Sequence, residues 1–277
     1  MNIKQLALFG AATALIIGAV DTVQAAEGTY FAALGAGASF SPDYEGSDDY
    51  EVGGMPFLSL GWKSDLDVPS DGTGLQLGLH DITLNLPQSL DVGLAKLYRP
   101  EGIYRFSAGL SYDAGRDAND NAALKGMGDI DAYFSGSVGI NFQAKDSGWQ
   151  YGLRYTGSED NGSGLAGQIG YAHPLSDTLV ITPAIHTTWA DDEQMQTYFG
   201  VSQQQARTSA NNKFDTESGL KSVGLGVSLD WTITKNWMLN SGLDYTRLTN
   251  DAADSPLVKI EGSPDQFGAF AALIYSF

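Results

Sequence analysis

The chain has 277 residues, a formal net charge of -18 and no cysteine. We expect no nucleic-acid partner, because phosphate binding needs a basic surface. The acidic balance instead favours cations or cationic partners. No stretch after residue 25 approaches the roughly 20 apolar residues of a membrane-spanning helix, and nothing in the middle of the chain has the composition of a linker.

The first 25 residues have the pattern of a secretory signal peptide. Lys4 supplies the positive charge, residues 6–20 are apolar or small apart from one threonine, and Val23-Gln24-Ala25 suits cleavage. The apolar run is short for a membrane anchor, and no second basic flank follows it. We therefore predict export, removal of residues 1–25, and a single domain over residues 26–277.

Apolar and polar residues alternate with a period of two through most of the remaining chain, which indicates β-strands. Tyr104 and Phe106, for example, lie on the face opposite Arg105 and Ser107. We predict a closed antiparallel transmembrane β-barrel of about twelve strands, or ten if residues 74–102 hold one hairpin fewer, because bacterial barrels have even strand numbers. The predicted strands cover 29–40, 55–62, 74–86, 89–98, 103–112, 130–142, 149–157, 164–173, 179–190, 221–234, 237–248 and 265–277.

The connections between these strands alternate between short and long. The long ones cover residues 41–54, 113–129, 191–219 and 249–264, and the short ones cover 99–102, 144–148, 174–177 and 234–236. Outer-membrane barrels have short periplasmic turns and longer extracellular loops. The pattern therefore places both termini in the periplasm. No segment has a convincing amphipathic-helix pattern.

A soluble β-sandwich also alternates, but three features favour the membrane. Tyr104 and Tyr112 bracket one strand at about the height of the apolar band between two aromatic girdles. The opposite face is small and polar, which suits a confined lumen. The last strand has an apolar residue at every second position from Phe267 to the terminal Phe277. It resembles the C-terminal signal recognised by the barrel-assembly machinery.

Several strings of residues resemble one family of proteins. They are Pro42-Asp43-Tyr44-Glu45-Gly46-Ser47-Asp48-Asp49, Leu124-Lys125-Gly126-Met127-Gly128-Asp129-Ile130-Asp131-Ala132, Thr188-Trp189-Ala190-Asp191-Asp192, Met195-Gln196-Thr197-Tyr198-Phe199-Gly200-Val201-Ser202, Gly219-Leu220-Lys221-Ser222-Val223-Gly224 and Asp251-Ala252-Ala253-Asp254-Ser255-Pro256-Leu257-Val258. With them, nearly all of the chain after residue 25 resembles the MipA/OmpV family of outer-membrane proteins. The match is poorer across residues 74–102, where this chain looks longer.

The resemblance implies an outer-membrane barrel without a catalytic role. The best-known kind of member is a scaffold that joins a murein lytic transglycosylase to a bifunctional penicillin-binding protein. Other members are discussed as surface adhesins or as porin-like proteins for antibiotic entry. We take the scaffold as the leading hypothesis, with a channel for small solutes, or an adhesin acting through the long loops, as the alternatives.

A scaffold needs a surface for its partner on the periplasmic side. Most of the predicted turns there are too short for a standard interface of about 800 Å² per partner. Residues 63–73 form the one longer turn, and they carry Asp65, Asp67 and Asp71. These three aspartates are our candidate partner contacts.

A channel would depend on the side chains that line the lumen. By alternation, the candidate lumen-facing polar residues are Arg105, Asp131, Arg154, His186, Asp230 and Asp244. We expect Asp131, Asp230 and Asp244 to oppose the two arginines. These charges would either tune a pore or form a polar network that fills the lumen. The net charge favours a preference for cations.

The sequence offers no catalytic constellation. The chain has only three histidines, His80, His173 and His186, without an evident nucleophile and orienting group. The acidic residues of the first loop lack an EF-hand pattern, so we predict no cofactor or metal. The expected partners are outer-membrane lipid and lipopolysaccharide, whose phosphates could share divalent ions with the acidic loops.

Overall fold

The computed structural model describes residues 30–62, 73–78, 81–85 and 89–277. The predicted signal peptide, His80 and the candidate contacts Asp65, Asp67 and Asp71 lie outside the described residues. Within them, the chain forms one closed antiparallel β-barrel with short helices in its connections.

Fourteen strand segments form the sheet in the described part of the chain. They are β1 (Tyr30–Pro42), β2 (Tyr50–Trp62), β3 (Gly74–Leu77), β4 (Asp81–Asn85), β5 (Ser89–Arg99), β6 (Gly102–Asp113), β7 (Tyr133–Ala144), β8 (Trp149–Ser158), β9 (Ser163–Tyr171), β10 (His173–Ser176), β11 (Leu179–Ala190), β12 (Gly219–Thr232), β13 (Trp237–Leu248) and β14 (Asp265–Ser276). β3 and β4 both pair with β5, and β9 and β10 both pair with β11. Each of these pairs of segments fills one position in the barrel wall, so the prediction of twelve strands is confirmed.

The barrel closes through its first and last strands. β14 pairs antiparallel with β1, from Ala33 opposite Ser276 to Phe40 opposite Ala269. Closure gives the backbone amides and carbonyls of both edge strands hydrogen-bonding partners, which a sheet in lipid requires because no water is available there. The aromatic C-terminal strand is therefore the strand that closes the wall.

The outer face of the barrel is apolar, with aromatic rings near both ends. Val138 and Leu243 are 58% and 63% exposed on this face. Ring pairs near the short turns are Tyr104–Phe142, Trp149–Tyr171 and Trp237–Tyr275, and pairs near the long loops are Phe40–Tyr50, Tyr112–Phe134 and Tyr245–Phe267. Two aromatic girdles around an apolar band are typical of a barrel that spans an outer membrane.

Three strand boundaries differ from the prediction by three residues or more, and the others differ by at most two. β2 begins at Tyr50 rather than at residue 55, so the first long loop covers only residues 43–49. β7 begins at Tyr133 rather than at residue 130. The predicted turn 174–177 is wrong, because His173–Ser176 is strand β10, which pairs with β11 across an irregularity in register next to Pro174. Proline occurs in sheets mainly at such irregularities or at edges.

The long loops contain helices that the sequence did not predict. They are α1 (Asp192–Phe199), α2 (Gln205–Thr208), α3 (Asn250–Asp254) and α4 (Pro256–Lys259). Eight residues or fewer make about two turns, too few for a clear apolar period. Among the described residues, no helix is both long and apolar enough to span a membrane.

Candidate functional site

Four long connections at one end of the barrel pack against each other. We call them together the loop cap, and define it as residues 43–49, 114–132, 191–218 and 249–264. Most of the strings that resemble the MipA/OmpV family lie in this cap. The cap is therefore the part of the chain where sequence resemblance and tertiary packing coincide.

Helix α1 starts the cap with a well-formed N-terminus. The Asp191 carboxylate accepts a hydrogen bond from the Gln194 amide (2.9 Å) and two from Ser163, one from its amide (2.7 Å) and one from its hydroxyl (2.6 Å). Slight burial by itself would raise the pKa of Asp191, but these hydrogen bonds outweigh it and lower the pKa. Asp192 in the first turn adds a favourable charge next to the positive end of the helix. The cap is thus tied to β9 at the point where α1 begins.

The interior of the cap consists of two buried apolar clusters. The first contains Ala190, Met195, Phe199, Leu248, Ala252 and Val258. The second contains Tyr44, Leu124, Met127, Val201 and Leu257. Each cluster takes side chains from more than one loop, so the loops are held to one another by a shared core.

The buried hydroxyl of Ser255 in the cap has partners in two loops. The Ser255 hydroxyl, which is fully buried, donates to the Phe199 carbonyl (2.6 Å) and accepts from the Leu257 amide (3.3 Å). Pro256 is the first residue of α4, where a missing amide hydrogen costs nothing. The Ser255-Pro256 pair therefore starts α4 and joins the last loop to the end of α1.

The first loop is fixed to β14 beside it. Gln266 accepts from the Gly46 amide (3.1 Å) and donates to the Ser47 carbonyl (3.0 Å). Gly46 has φ of +101°, and a Cβ atom there would lie 2.4 Å from a methyl carbon of Val258. This position therefore requires glycine for both its backbone conformation and the close packing.

Tyr198 connects the cap to strand β7 of the barrel wall. Its hydroxyl lies 2.6 Å from the hydroxyl of Tyr133, which also donates to Asp113 (3.2 Å). The Arg116 guanidinium donates to the Tyr198 carbonyl (3.2 Å). Burial, and then the negative charge of Asp113, raise the pKa of Tyr198 well above its usual range, so the hydroxyl stays protonated and able to donate.

Two further contacts complete the connection across the mouth. Lys221 on β12 is only 9% exposed and pairs with the Glu45 carboxylate in the first loop (3.0 Å). Asn121, in the loop between β6 and β7, donates to the Asp43 carboxylate (2.8 Å). The cap therefore bridges strands on several sides of the barrel, and it lies across the mouth at the long-loop end.

Three of the remaining predicted loop residues lie near the surface of the cap, whereas Tyr44 is buried. Asp251 accepts from the Glu217 amide (2.7 Å), and Asp254 pairs with Lys259 (2.9 Å). Asp48 is exposed. Burial raises the pKa of Tyr44, which lies within the second cluster, to about 12. The family strings thus place their apolar and small residues inside the cap and most of their carboxylates outside it.

The predicted lumen residues lie on the inner side of the wall, with one exception. Arg105, Arg154, His186, Asp230 and Asp244 alternate with lipid-facing neighbours on their strands. Asp131 differs: it is exposed in the loop before β7. The reason is a bridge between Arg116 and Ile130, which holds this part of the chain in the cap.

The inner polar residues pair locally rather than as three aspartates against two arginines. Arg154 pairs with Asp91 (2.8 Å), His186 lies 2.8 Å from the Asp244 carboxylate, and Asn240 donates to Asp230 (2.5 Å). Asp91 was not among the predicted lumen residues, although it alternates with Leu90 and Val92 on β5. It also missed Tyr133 and Lys221, whose partners are distant in sequence.

No metal centre is evident in the part of the chain that the structure describes. No group of three or more histidines, aspartates or glutamates there has the geometry to hold a metal ion. The carboxylates of the cap accept hydrogen bonds from amides and amines, or lie exposed, as described above.

The chain matches a known protein family over almost all of the barrel. The family profile described as "MltA-interacting protein MipA" matches residues 34–277. The chain belongs to the MipA family. The matched region includes the whole loop cap and all strands from β2 to β14, so the MipA family describes both the wall and the cap.

Two relatives illustrate how far members of the MipA family diverge. The MltA-interacting protein of Escherichia coli (strain K12) is 25% identical over 189 residues, which cover 58% of this chain and 72% of that protein. Outer membrane protein Omp26La of Vibrio anguillarum is 24% identical over 177 residues, which cover 64% of this chain and 65% of that protein. This MipA-family chain is accordingly an outer-membrane barrel.

Solved structures that are similar to this MipA-family chain are also barrels. OprB of Pseudomonas putida has a TM-score of 0.43 at 10% identity, covering 90% of this chain and 94% of that one. OmpT of Vibrio cholerae has a TM-score of 0.42 at 8% identity, covering 90% of this chain and 97% of that one.

Proposed function

We propose that the chain is a non-enzymatic scaffold in the outer membrane, which holds a murein lytic transglycosylase, and through it a penicillin-binding protein, at the periplasmic face. The family match over residues 34–277, with a relative named MltA-interacting protein, supports this role most strongly. A scaffold needs a rigid support and one accessible surface, but no reacting groups.

The packing of the cap is consistent with a rigid support. Its apolar residues are buried among themselves, with Met195, Phe199, Leu257 and Val258 at most 1% exposed. Buried side chains cannot contact a partner, so the cap strings have a structural role here. A periplasmic enzyme would instead meet the short-turn end, where residues 63–73 are the longest connection and our proposed contact.

The direct test is capture from a detergent-solubilised envelope. The refolded full chain, with an unrelated barrel as control, should retain a murein lytic transglycosylase identified by mass spectrometry. Absence of the enzyme above the control barrel would refute the scaffold.

A second step locates the contact. Replacing residues 63–73 by a two-residue Asn-Gly turn should abolish capture, because the remaining turns offer too little area. The matched control replaces residues 159–161, a connection at the opposite end of the barrel, and should leave capture unchanged. If the first replacement also leaves capture unchanged, the scaffold stands but this contact is wrong.

The proposed location depends on export, which can be checked separately. We propose that residues 1–25 are cleaved, so the protein isolated from an outer-membrane fraction should begin at Ala26. Determination of its N-terminal sequence checks this directly, and a different first residue would contradict the predicted cleavage site.

A further inference from the structure

A groove lies on the outer face of the barrel wall, where the wall meets the loop cap. Gly136 on β7 and Gly157 on β8, which are directly opposite in the strand pairing, line its middle. The rings of Phe134 and Tyr155, 63% and 48% exposed on this face, border it. Its volume is about 520 Å³, within the range of roughly 300–1,000 Å³ that is common for small-molecule sites. The groove is therefore large enough for part of one lipid molecule.

The groove exists because two side chains are absent from a face that is otherwise covered. Val138, the next outward residue on β7, is 58% exposed on this face. A Cβ atom at Gly136 would meet no other part of the protein within 4 Å, and the φ of Gly136 is not positive. Neither packing nor backbone conformation therefore requires glycine at this position. A glycine inside a strand often marks a place that a ligand approaches closely.

The two ends of the groove differ in chemistry. Phe134 packs against Tyr112 in the aromatic girdle near the long loops, at the edge of the apolar band. The carboxylates at the solvent end belong to Glu159, in the connection between β8 and β9, and to Glu193, in the first turn of α1. Both are exposed, and neither forms an ion pair with another described residue. The groove thus runs from an aromatic end to an end with free negative charge.

An amphiphile with a positive headgroup is complementary to this arrangement. Its apolar part would lie against the rings of Phe134 and Tyr155, and its cationic group would lie near Glu159 and Glu193. The Tyr155 hydroxyl lies over Gly157, 3.3 Å from the position that a Cβ atom would take there, so it can interact with the polar part of the same molecule. Cations are also attracted to aromatic faces. An anionic headgroup would be repelled by the two carboxylates.

We propose that the groove binds a single lipid of the outer leaflet whose headgroup presents an ammonium group. The occupant is a lipid rather than a dissolved solute, because Phe134, Val138 and Tyr155 belong to the lipid-facing side of the wall. This contact differs from the sharing of divalent ions with lipopolysaccharide phosphates that the sequence leads us to expect. It lies at the opposite end of the barrel from the proposed enzyme contact, so it holds or fails independently of the scaffold.

The experiment is native mass spectrometry of the full refolded chain, released from micelles of an uncharged detergent. The micelles contain equal amounts of three lipids with identical dioleoyl chains, which carry a trimethylammonium, a phosphocholine or a phosphoglycerol headgroup. No divalent ion is added. We expect a single trimethylammonium lipid to be retained at least about fivefold more often than the phosphoglycerol lipid, the preference that an exposed ion pair supplies.

Filling the groove tests its location. Gly136→Leu should lower retention of the trimethylammonium lipid to that of the phosphoglycerol lipid, and it should fold because the new side chain meets no other part of the protein. The matched control is Gly54→Leu. Gly54 is exposed on the outer face of β2, and a Cβ atom there also has nothing within 4 Å, so this variant should keep the wild-type retention.

Removing the charge tests the choice of headgroup. Glu159→Gln/Glu193→Gln should retain the three lipids equally. The matched control is Glu217→Gln/Glu261→Gln, which alters exposed carboxylates of the cap that do not border the groove and should keep the preference. Resistance of each unheated variant to unfolding in detergent gels shows that it has folded. If Gly136→Leu does not fold, the charge variants decide alone.

Three results would overturn the proposal. One is equal retention of the three lipids by the wild type. Another is a preference for the trimethylammonium lipid that folded Gly136→Leu, or the folded Glu159→Gln/Glu193→Gln variant, leaves unchanged, which would place the contact elsewhere on the barrel. The last is stronger retention of the phosphoglycerol lipid once Mg²⁺ is added, which would mean that the carboxylates act through a divalent ion.

Discussion

Replacing Phe199 by alanine should open the loop cap while leaving the barrel intact. Phe199 is 1% exposed and lies in the first cluster, and its carbonyl accepts from Ser255. Truncating a fully buried phenylalanine costs about 3–5 kcal/mol, because transfer energy is lost and a cavity remains. At about 1.4 kcal/mol per tenfold change, 4 kcal/mol raises the open population of the cap about a thousandfold.

Limited trypsin digestion measures this opening. Arg207 and Lys213 are exposed within residues 191–218, but cleavage needs a longer flexible segment than the closed cap offers. The rate should rise steeply in Phe199→Ala, and Phe134→Ala is the control because Phe134 is 63% exposed on the outer face. If trypsin cleaves the wild type and both variants at the same rate, Phe199 does not hold the cap closed. The same conclusion follows if the cleavage rate rises equally in Phe199→Ala and Phe134→Ala.

Three further predictions concern single contacts of the cap. Gly126→Ala should destabilise the cap more than Gly128→Ala by thermal denaturation, because both have φ near +80° but only a Cβ at Gly126 would meet a backbone atom, 2.0 Å away. Tyr198→Phe should cost about 1 kcal/mol of cap stability by the same digestion assay, because it removes the hydrogen bond between the hydroxyls of Tyr198 and Tyr133. Asp191 has a lowered pKa, so its stabilisation is complete above its ordinary value of 3.8 and is lost as the pH falls through the lower folded value. Pepsin cleavage of the cap should therefore rise as the pH falls below about 4 in the wild type, and less steeply in Asp191→Asn.

Each of these predictions has a result that contradicts it. Equal melting temperatures for Gly126→Ala and Gly128→Ala would mean that Thr208, whose carbonyl faces Gly126, moves away easily. An unchanged digestion rate in Tyr198→Phe would show that the hydroxyl contact with Tyr133 does not hold the cap. The same pepsin profile for Asp191→Asn and the wild type would assign the acid response to other groups.

The strands were predictable because lipid and lumen impose different requirements on alternate residues. Each strand of the wall needs apolar side chains outward and small or polar ones inward, and a shift by one residue would reverse every side chain. Tyr104, Phe106 and Leu110 show this alternation without any knowledge of their partners. The number of strands and most of their limits follow from the same constraint.

The boundaries failed where a tertiary contact overrides alternation. Ile130 and Asp131 continue the pattern of β7, yet they lie in the cap because Arg116 pairs with Ile130. Residues 174–177 look like a turn, but the pairing of Pro174 and Ser176 with β11 makes them part of a strand. Local sequence cannot reveal a partner that lies several residues away across a bend.

The candidate sites also contain features that local sequence predicts and features that only tertiary contacts decide. The sequence alone determined that this chain forms a barrel of the MipA family and which strand residues alternate with the lipid-facing ones, because alternation is a local property and the family strings are contiguous. Only the tertiary structure decided that most of those strings form one cap across the mouth, that Tyr198 reaches Tyr133, and that His186 lies against Asp244. The physical reason is closure: joining β14 to β1 brings together side chains that are far apart along the chain, and no local pattern records that distance.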